Sequence, residues 1–106
     1  MTTIINVSIK NLQKIGYKNL EEWLQNPNHI YIGRNMNLYF KGAIKSKWYN
    51  PFSIREHGRE KCLELYREYI LNSQLINDID ELNGKILGCW CKPDKCHGDI
   101  LIELLK

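Results

Sequence analysis

Lys85-Ile86-Leu87-Gly88-Cys89-Trp90-Cys91, interrupted at Pro93 and resumed as Cys96-His97-Gly98-Asp99-Ile100-Leu101, is the stretch that decides the fold. Lys85 to Cys91 is a short apolar run of the kind that forms a strand buried on both faces. Pro93 ends it, because its ring fixes φ and removes a backbone donor. Gly98 or Asp99 then opens a helix whose apolar positions are Ile100, Leu101, Leu104 and Leu105. A buried strand that passes through a short loop into a helix is half of a strand–helix–strand unit.

The rest of the chain supplies matching parts. Ile4 to Ile9 alternates loosely and predicts a strand. Asn19 is an N-cap for a helix over Leu20 to Gln25, which Pro27 stops. Ile30-Tyr31-Ile32 is β-branched and aromatic, and Gly33-Arg34 follows it directly. Asn35 to Lys47 reads equally as a hairpin around Lys41-Gly42 or as an ordered loop, and Asn50-Pro51 disfavours helix at Asn50. Arg59 to Ile70 carries Cys62, Leu65, Tyr66, Tyr69 and Ile70 at helical spacing, so Cys62 is expected to pack in the core. A further helix is expected from Ser73 to Leu82, stopped by Asn83-Gly84. Strands separated by helices predict an α/β domain spanning 1–106. Its mainly parallel sheet should have about three to five strands, in a Rossmann-like arrangement. Such sheets bind ligands beyond the carboxyl ends of their strands. Here those ends deliver Arg34 on one side and the cysteine cluster on the other.

Composition agrees with a globular domain: 106 residues, 43% hydrophobic and 25% charged, with net charge +3. The mild positive charge suits an anionic ligand but is too small to indicate nucleic-acid binding by itself. No apolar run approaches the roughly 18 residues of a membrane span. Met1-Thr2-Thr3 has none of the basic and apolar character of a signal peptide, so the cytoplasm is the expected compartment. There Cys62, Cys89, Cys91 and Cys96 are expected as thiols or metal ligands. No P-loop or G-x-G-x-x-G stretch occurs, which argues against ordinary ATPase or dehydrogenase chemistry.

Cys96-His97-Gly98-Asp99 is the main candidate site. Unpaired N–H groups at a helix start favour a thiolate or a bound anion. Cys96 or Asp99 is the candidate nucleophile or base, and His97 the candidate proton carrier. The plainer reading has Asp99 capping the helix, Cys96 packed inward and His97 on the surface. Cys89, Cys91, Cys96 and His97 also form a Cys3His donor set for zinc, although the spacing is not that of a usual zinc knuckle. Arg34 offers a planar fork for phosphate or carboxylate. Trp48, Asn50 and Trp90 are candidates to face a base or sugar, against a plainer role as core and turn residues. Lys41, Lys45 and Lys47, interleaved with Phe40 and Trp48, are a small basic and aromatic stretch that nucleic acid could contact.

Several of these residues together resemble the domain-of-unknown-function family 4326. They are Tyr31-Ile32-Gly33-Arg34, Ser46-Lys47-Trp48 with Asn50-Pro51-Phe52, Arg59-Glu60 with Tyr66 and Tyr69, and Cys89-Trp90-Cys91 through Cys96-His97-Gly98-Asp99. The resemblance runs from about Ile30 to Leu105, and the N-terminal segment through Asn28-His29 looks most like the versions from large DNA viruses. It implies an intracellular Rossmann-like domain whose motif residues, Lys47, Arg59 and Gly98 among them, gather around a ligand. It also implies glycine where this chain has Tyr49, so Tyr49 is expected to narrow the site.

Two functions are carried forward. The first is binding, with hydrolysis as the natural reaction, of a nucleotide-like or other phosphate-bearing molecule. Arg34, Lys47, Trp48, Asn50, Arg59, Trp90 and Gly98 would bind it, and Cys96, His97 and Asp99 would act on it. The second is a non-catalytic module held by zinc at Cys89, Cys91, Cys96 and His97, contacting nucleic acid or protein.

Overall fold

The computed structural model describes residues 1–105. Three short strands form one parallel sheet: β1 (Thr3–Asn6), β2 (His29–Tyr31) and β3 (Ile86–Cys89), in the order β1-β3-β2. The last strand in sequence therefore lies at the centre. Ile5 of β1 and Tyr31 of β2 both stand opposite Gly88. The α/β class and the parallel sheet read from the sequence are both present.

Strand alternation sorts the side chains onto two faces. Leu87 and Cys89 join Ile4, Ile30 and Ile32 on one face. It is covered by α4 (Arg59–Leu71), a 3-10 helix (Gln74–Leu82) and α5 (His97–Leu104). On the other face, Ile5, Tyr31, Ile86 and Trp90 pack with Val7, Leu12, Leu20 and Trp23. These last residues bring in α1 (Ile9–Lys14) and α2 (Leu20–Trp23). Gly88 is where the second layer comes closest, with Val7 and the Trp23 ring directly above it. Trp23 is stacked in turn on His29, with ring centres 4.4 Å apart. His29 Nδ1 lies 2.7 Å from the Trp23 carbonyl oxygen.

Several expectations are corrected in detail. The strand expected over Ile4 to Ile9 stops at Asn6. The Ser8 hydroxyl accepts from the Asn11 N–H at 3.3 Å and starts α1, so Ile9 is helical. The helix at Leu20 is shorter than expected, ending at Trp23, although Asn19 caps it as foreseen. No hairpin forms around Lys41-Gly42. The segment is an ordered loop closed by Met36 N–H to the Ala43 carbonyl at 2.7 Å and by Gly42 N–H to Asn37 Oδ1 at 2.9 Å. The stretch after Ser73 is 3-10 rather than α, with Ser73 capping it through the Leu75 N–H. A short helix, α3 (Ile54–His57), was not foreseen, and it is capped by Ser53. Among the described residues no helix is long and apolar enough to cross a membrane.

Candidate functional site

The carboxyl ends of β2 and β3 and the start of α5 meet at one point. Ile32 continues β2 and gives its N–H to the Gly88 carbonyl at 3.0 Å. Its own carbonyl oxygen lies 2.7 Å from His97 Nε2. A carbonyl can only accept, so Nε2 carries the proton and the neutral ring keeps its lone pair on Nδ1. Burial lowers the His97 pKa, outweighing the opposing effects of the Ile32 carbonyl and Asp99, so the neutral form is the favoured one. The Tyr66 ring meets this imidazole edge-on at 5.1 Å.

Cys89 and Cys96 lie beside this contact, with their sulfurs 3.4 Å apart. Both are about 1% exposed, so solvent does not separate them. The contact with Cys96 lowers the Cys89 pKa. Burial opposes this, and the backbone N–H groups of Cys91 and Lys92 reinforce it. The same contact, together with burial, raises the Cys96 pKa. The more acidic thiol is thus the one on the strand, whereas the sequence pointed to the one at the helix start. Cys91 is half-buried, and the Arg59 guanidinium lies beside it.

These groups form the floor of a cleft of about 1220 Å³. Arg34, Asn50, Trp90, Cys96 and His97, candidates for the ligand site in the sequence, line it together with Cys89 and Cys91. Tyr49 lines it too, with Lys45 Nζ 4.7 Å above its ring, and Phe52 forms part of an apolar wall. The sequence reading missed Arg55, which α3 carries to the same cleft. Neither Arg34 nor Arg55 has a carboxylate partner among the described residues. The lining carboxylate, Glu56, faces His57 at 3.9 Å. Arg34 is held in place from behind: Trp90 Nε1 donates to the Tyr31 hydroxyl at 2.7 Å, which donates to the Arg34 carbonyl at 2.6 Å.

Other proposed site residues lie outside the lining. Trp48 is 2% exposed, and its Nε1 donates to Glu81 at 3.1 Å. Lys47 pairs with Glu81 and Asp78 at 2.9 and 3.3 Å. Gly98 fits against Ile4 and Ile32, which makes it a packing residue at the start of α5. Asp99 accepts from Lys92 Nζ at 2.9 Å and from the Cys96 N–H at 2.9 Å. Burial raises its pKa, but these two donors outweigh that and leave it lowered. Arg59 reaches the Lys95 carbonyl at 2.7 Å and Asp94 at 3.5 Å, so with Asp99 it fixes the loop leading to Cys96. Asn50, by contrast, does line the cleft; it accepts from the Phe52 N–H at 2.9 Å and donates to Cys62 Sγ at 3.2 Å, which shapes the turn leading to Phe52.

The zinc donor set does not assemble. Among the described residues no three His, Cys, Asp or Glu side chains converge on a common point. His97 Nε2 is engaged by Ile32, and Cys91 is beside Arg59. The basic and aromatic stretch is also engaged internally. Lys41 pairs with Glu21 at 3.3 Å, and Phe40 packs on Trp90 at 4.8 Å.

The fold and cleft define a small α/β domain with a cysteine- and histidine-floored cavity at its strand ends. The family model described as "Domain of unknown function (DUF4326)" matches residues 15–106, and the chain belongs to that family. It is 39% identical over 115 residues to the uncharacterized protein R718 of Acanthamoeba polyphaga mimivirus, covering 100% of this chain and 82% of the relative. It is also 32% identical over 63 residues to an uncharacterized 12.4 kDa protein in the nrdA-td intergenic region of Enterobacteria phage T4. That match covers 55% of this chain and 58% of the relative. No solved structure matches.

Proposed function

We propose that this cleft binds a phosphate-bearing small molecule of nucleotide size, in a domain of Rossmann-like kind acting in the cytoplasm. The observation that carries the proposal is the pair Arg34 and Arg55, two guanidinium groups on one cavity with no acidic partner among the described residues. A planar fork matches phosphate oxygens, and two such forks suit a diphosphate better than a single carboxylate. Phe52, Tyr49 and Trp90 supply apolar surface for a base or sugar. His97 and the Cys89–Cys96 pair are the groups able to move a proton or attack, so hydrolysis of the bound molecule is the reaction to look for. Arg59 and Asp99 act here as positioning residues, holding the loop that carries Cys96.

Isothermal titration with ADP, GDP and UDP tests the proposal, with phosphorus NMR of the same mixtures to detect turnover. Arg34→Ala and Arg55→Ala should each weaken binding about 10- to 100-fold, the value of a charge-assisted hydrogen bond to phosphate. Absence of binding by all three nucleotides, or equal binding by wild type and both variants, would overturn it.

A further inference from the structure

Four cysteines occupy three kinds of surroundings, and one pair stands out. Cys62 is inside the core on α4, donating to the Phe52 carbonyl at 3.3 Å and accepting from Asn50. Cys91 has Arg59 beside it. Cys89 and Cys96 face each other at 3.4 Å on the floor of the cleft. A disulfide needs its sulfurs at about 2.05 Å, so closing this pair takes a movement of only about 1.3 Å. One sulfur is fixed on a central strand, while the other lies at the end of the connection 90–96. By contrast, Cys91 lies past the end of β3, beyond a bend at Trp90, and has the Arg59 guanidinium beside it.

We propose that Cys89 and Cys96 are a redox-active dithiol that reacts with low-molecular-weight disulfides of the glutathione class to form a reversible intramolecular disulfide. Both residues line the cleft but each is about 1% exposed, so the small disulfide reacts when a local opening of the loop before Cys96 brings Cys89 to the cleft surface. Deprotonated Cys89 attacks one sulfur of R–S–S–R, the S–S bond breaks, and RS⁻ leaves and takes up a proton. Deprotonated Cys96 then attacks the Cys89 sulfur of the mixed disulfide, and the second RS⁻ leaves and is protonated. Two protein thiols are oxidised by two electrons, and one small disulfide is reduced to two thiols. This proposal does not depend on the cleft binding a phosphate.

The test uses the whole wild-type protein, equilibrated in glutathione buffers from fully reducing to strongly oxidising. Samples are acid-quenched, alkylated and digested with trypsin. Cleavage after Lys85 and Lys95, with Lys92-Pro93 resistant, places Cys89 and Cys91 on residues 86–95 and Cys96 on residues 96–106. The expected result is a crosslink between these peptides in oxidising buffer, reversed in reducing buffer, with fragmentation showing alkyl on Cys91. Cys62→Ser and Cys91→Ser should retain the crosslink, and Cys89→Ser and Cys96→Ser should lose it. A crosslink through Cys91, glutathione attached without an internal bridge, or four alkylated thiols in wild type at the oxidising end would each overturn the proposal. The wild-type map decides the matter even where a variant folds poorly.

Discussion

Gly88→Ala is the substitution whose effect the structure predicts most sharply. Gly88 is in the middle of the central strand, paired on both sides. A Cβ there would lie 2.6 Å from Val7 Cγ1 and 2.9 Å from two ring atoms of Trp23. Ordinary contacts between carbons are about 3.5–4.0 Å, so about 1 Å of relief is needed. Neither neighbour yields easily. Val7 is β-branched and buried, and Trp23 is 1% exposed and stacked on His29. Overpacking of a tight core costs about 1–3 kcal/mol, and this site belongs in the upper half of that range. For a chain of this size, about 2–3 kcal/mol corresponds to a fall in Tm of roughly 10–20 °C. Gly98→Ala is the internal control. Its Cβ meets the terminal methyls of Ile4 and Ile32 at 2.8 and 2.9 Å, which can rotate away, and alanine favours helix by up to about 1 kcal/mol over glycine. Its net effect should stay within about 1 kcal/mol. Urea unfolding of both variants measures the difference. Gly88→Ala as stable as wild type, or less damaging than Gly98→Ala, would refute the account of the packing above the sheet.

Tyr66→Phe should cost about 1–2 kcal/mol in urea unfolding, because the buried hydroxyl donates to the Trp48 carbonyl at 2.6 Å and phenylalanine leaves that oxygen unpaired. Stability should also fall toward high pH: burial raises the Tyr66 pKa, so above about 10 the unfolded chain ionises while the folded one resists, and thermal melts from pH 8 to 11 should show the loss. Toward acid, the lowered His97 pKa means the unfolded chain takes up a proton first as pH drops below 6.5. That contribution is whole above 6.5 and declines as pH falls from there toward the folded value. His97→Gln should flatten the decline between pH 7 and 5, and an unchanged slope would contradict the buried neutral imidazole. Asp99→Asn removes the charge facing Lys92 and should make melting less sensitive to pH below 4, since the lowered Asp99 pKa gives stability that is lost in that window.

The sheet was legible because its strands are marked by local signals. Ile30-Tyr31-Ile32 ends at Gly33, and the apolar run after Lys85 ends near Pro93. The short helices were harder to see. Val7 and Ile9 continue the alternation of β1, so the cap at Ser8 was hidden inside what looked like strand. The four residues of α3 are too few to show a period, and Arg55 was missed with them. The position of the cleft was legible because Arg34 and the cysteines lie at or just past strand ends. Individual roles were not, because they depend on partners distant in sequence. Trp48 looked like a stacking platform until Glu81 and Tyr66 were placed beside it. Asp99 looked reactive until Lys92 and the Cys96 N–H were found on its carboxylate.

The central position of β3 bears on how the chain emerges from a ribosome. Among the described residues, β1 and β2 do not pair with each other, and each finds its strand partner in residues 86–89. A nascent chain that has not yet exposed that segment has helices to nucleate but no sheet to build. Assembly of the sheet is therefore held until residues 86–89 have been made, when the same few residues join the two waiting strands and bring Cys89 into reach of Cys96. Shortened chains ending before Ile86 should remain open and protease-sensitive, and the thiol pair should come together only in the step that completes the fold.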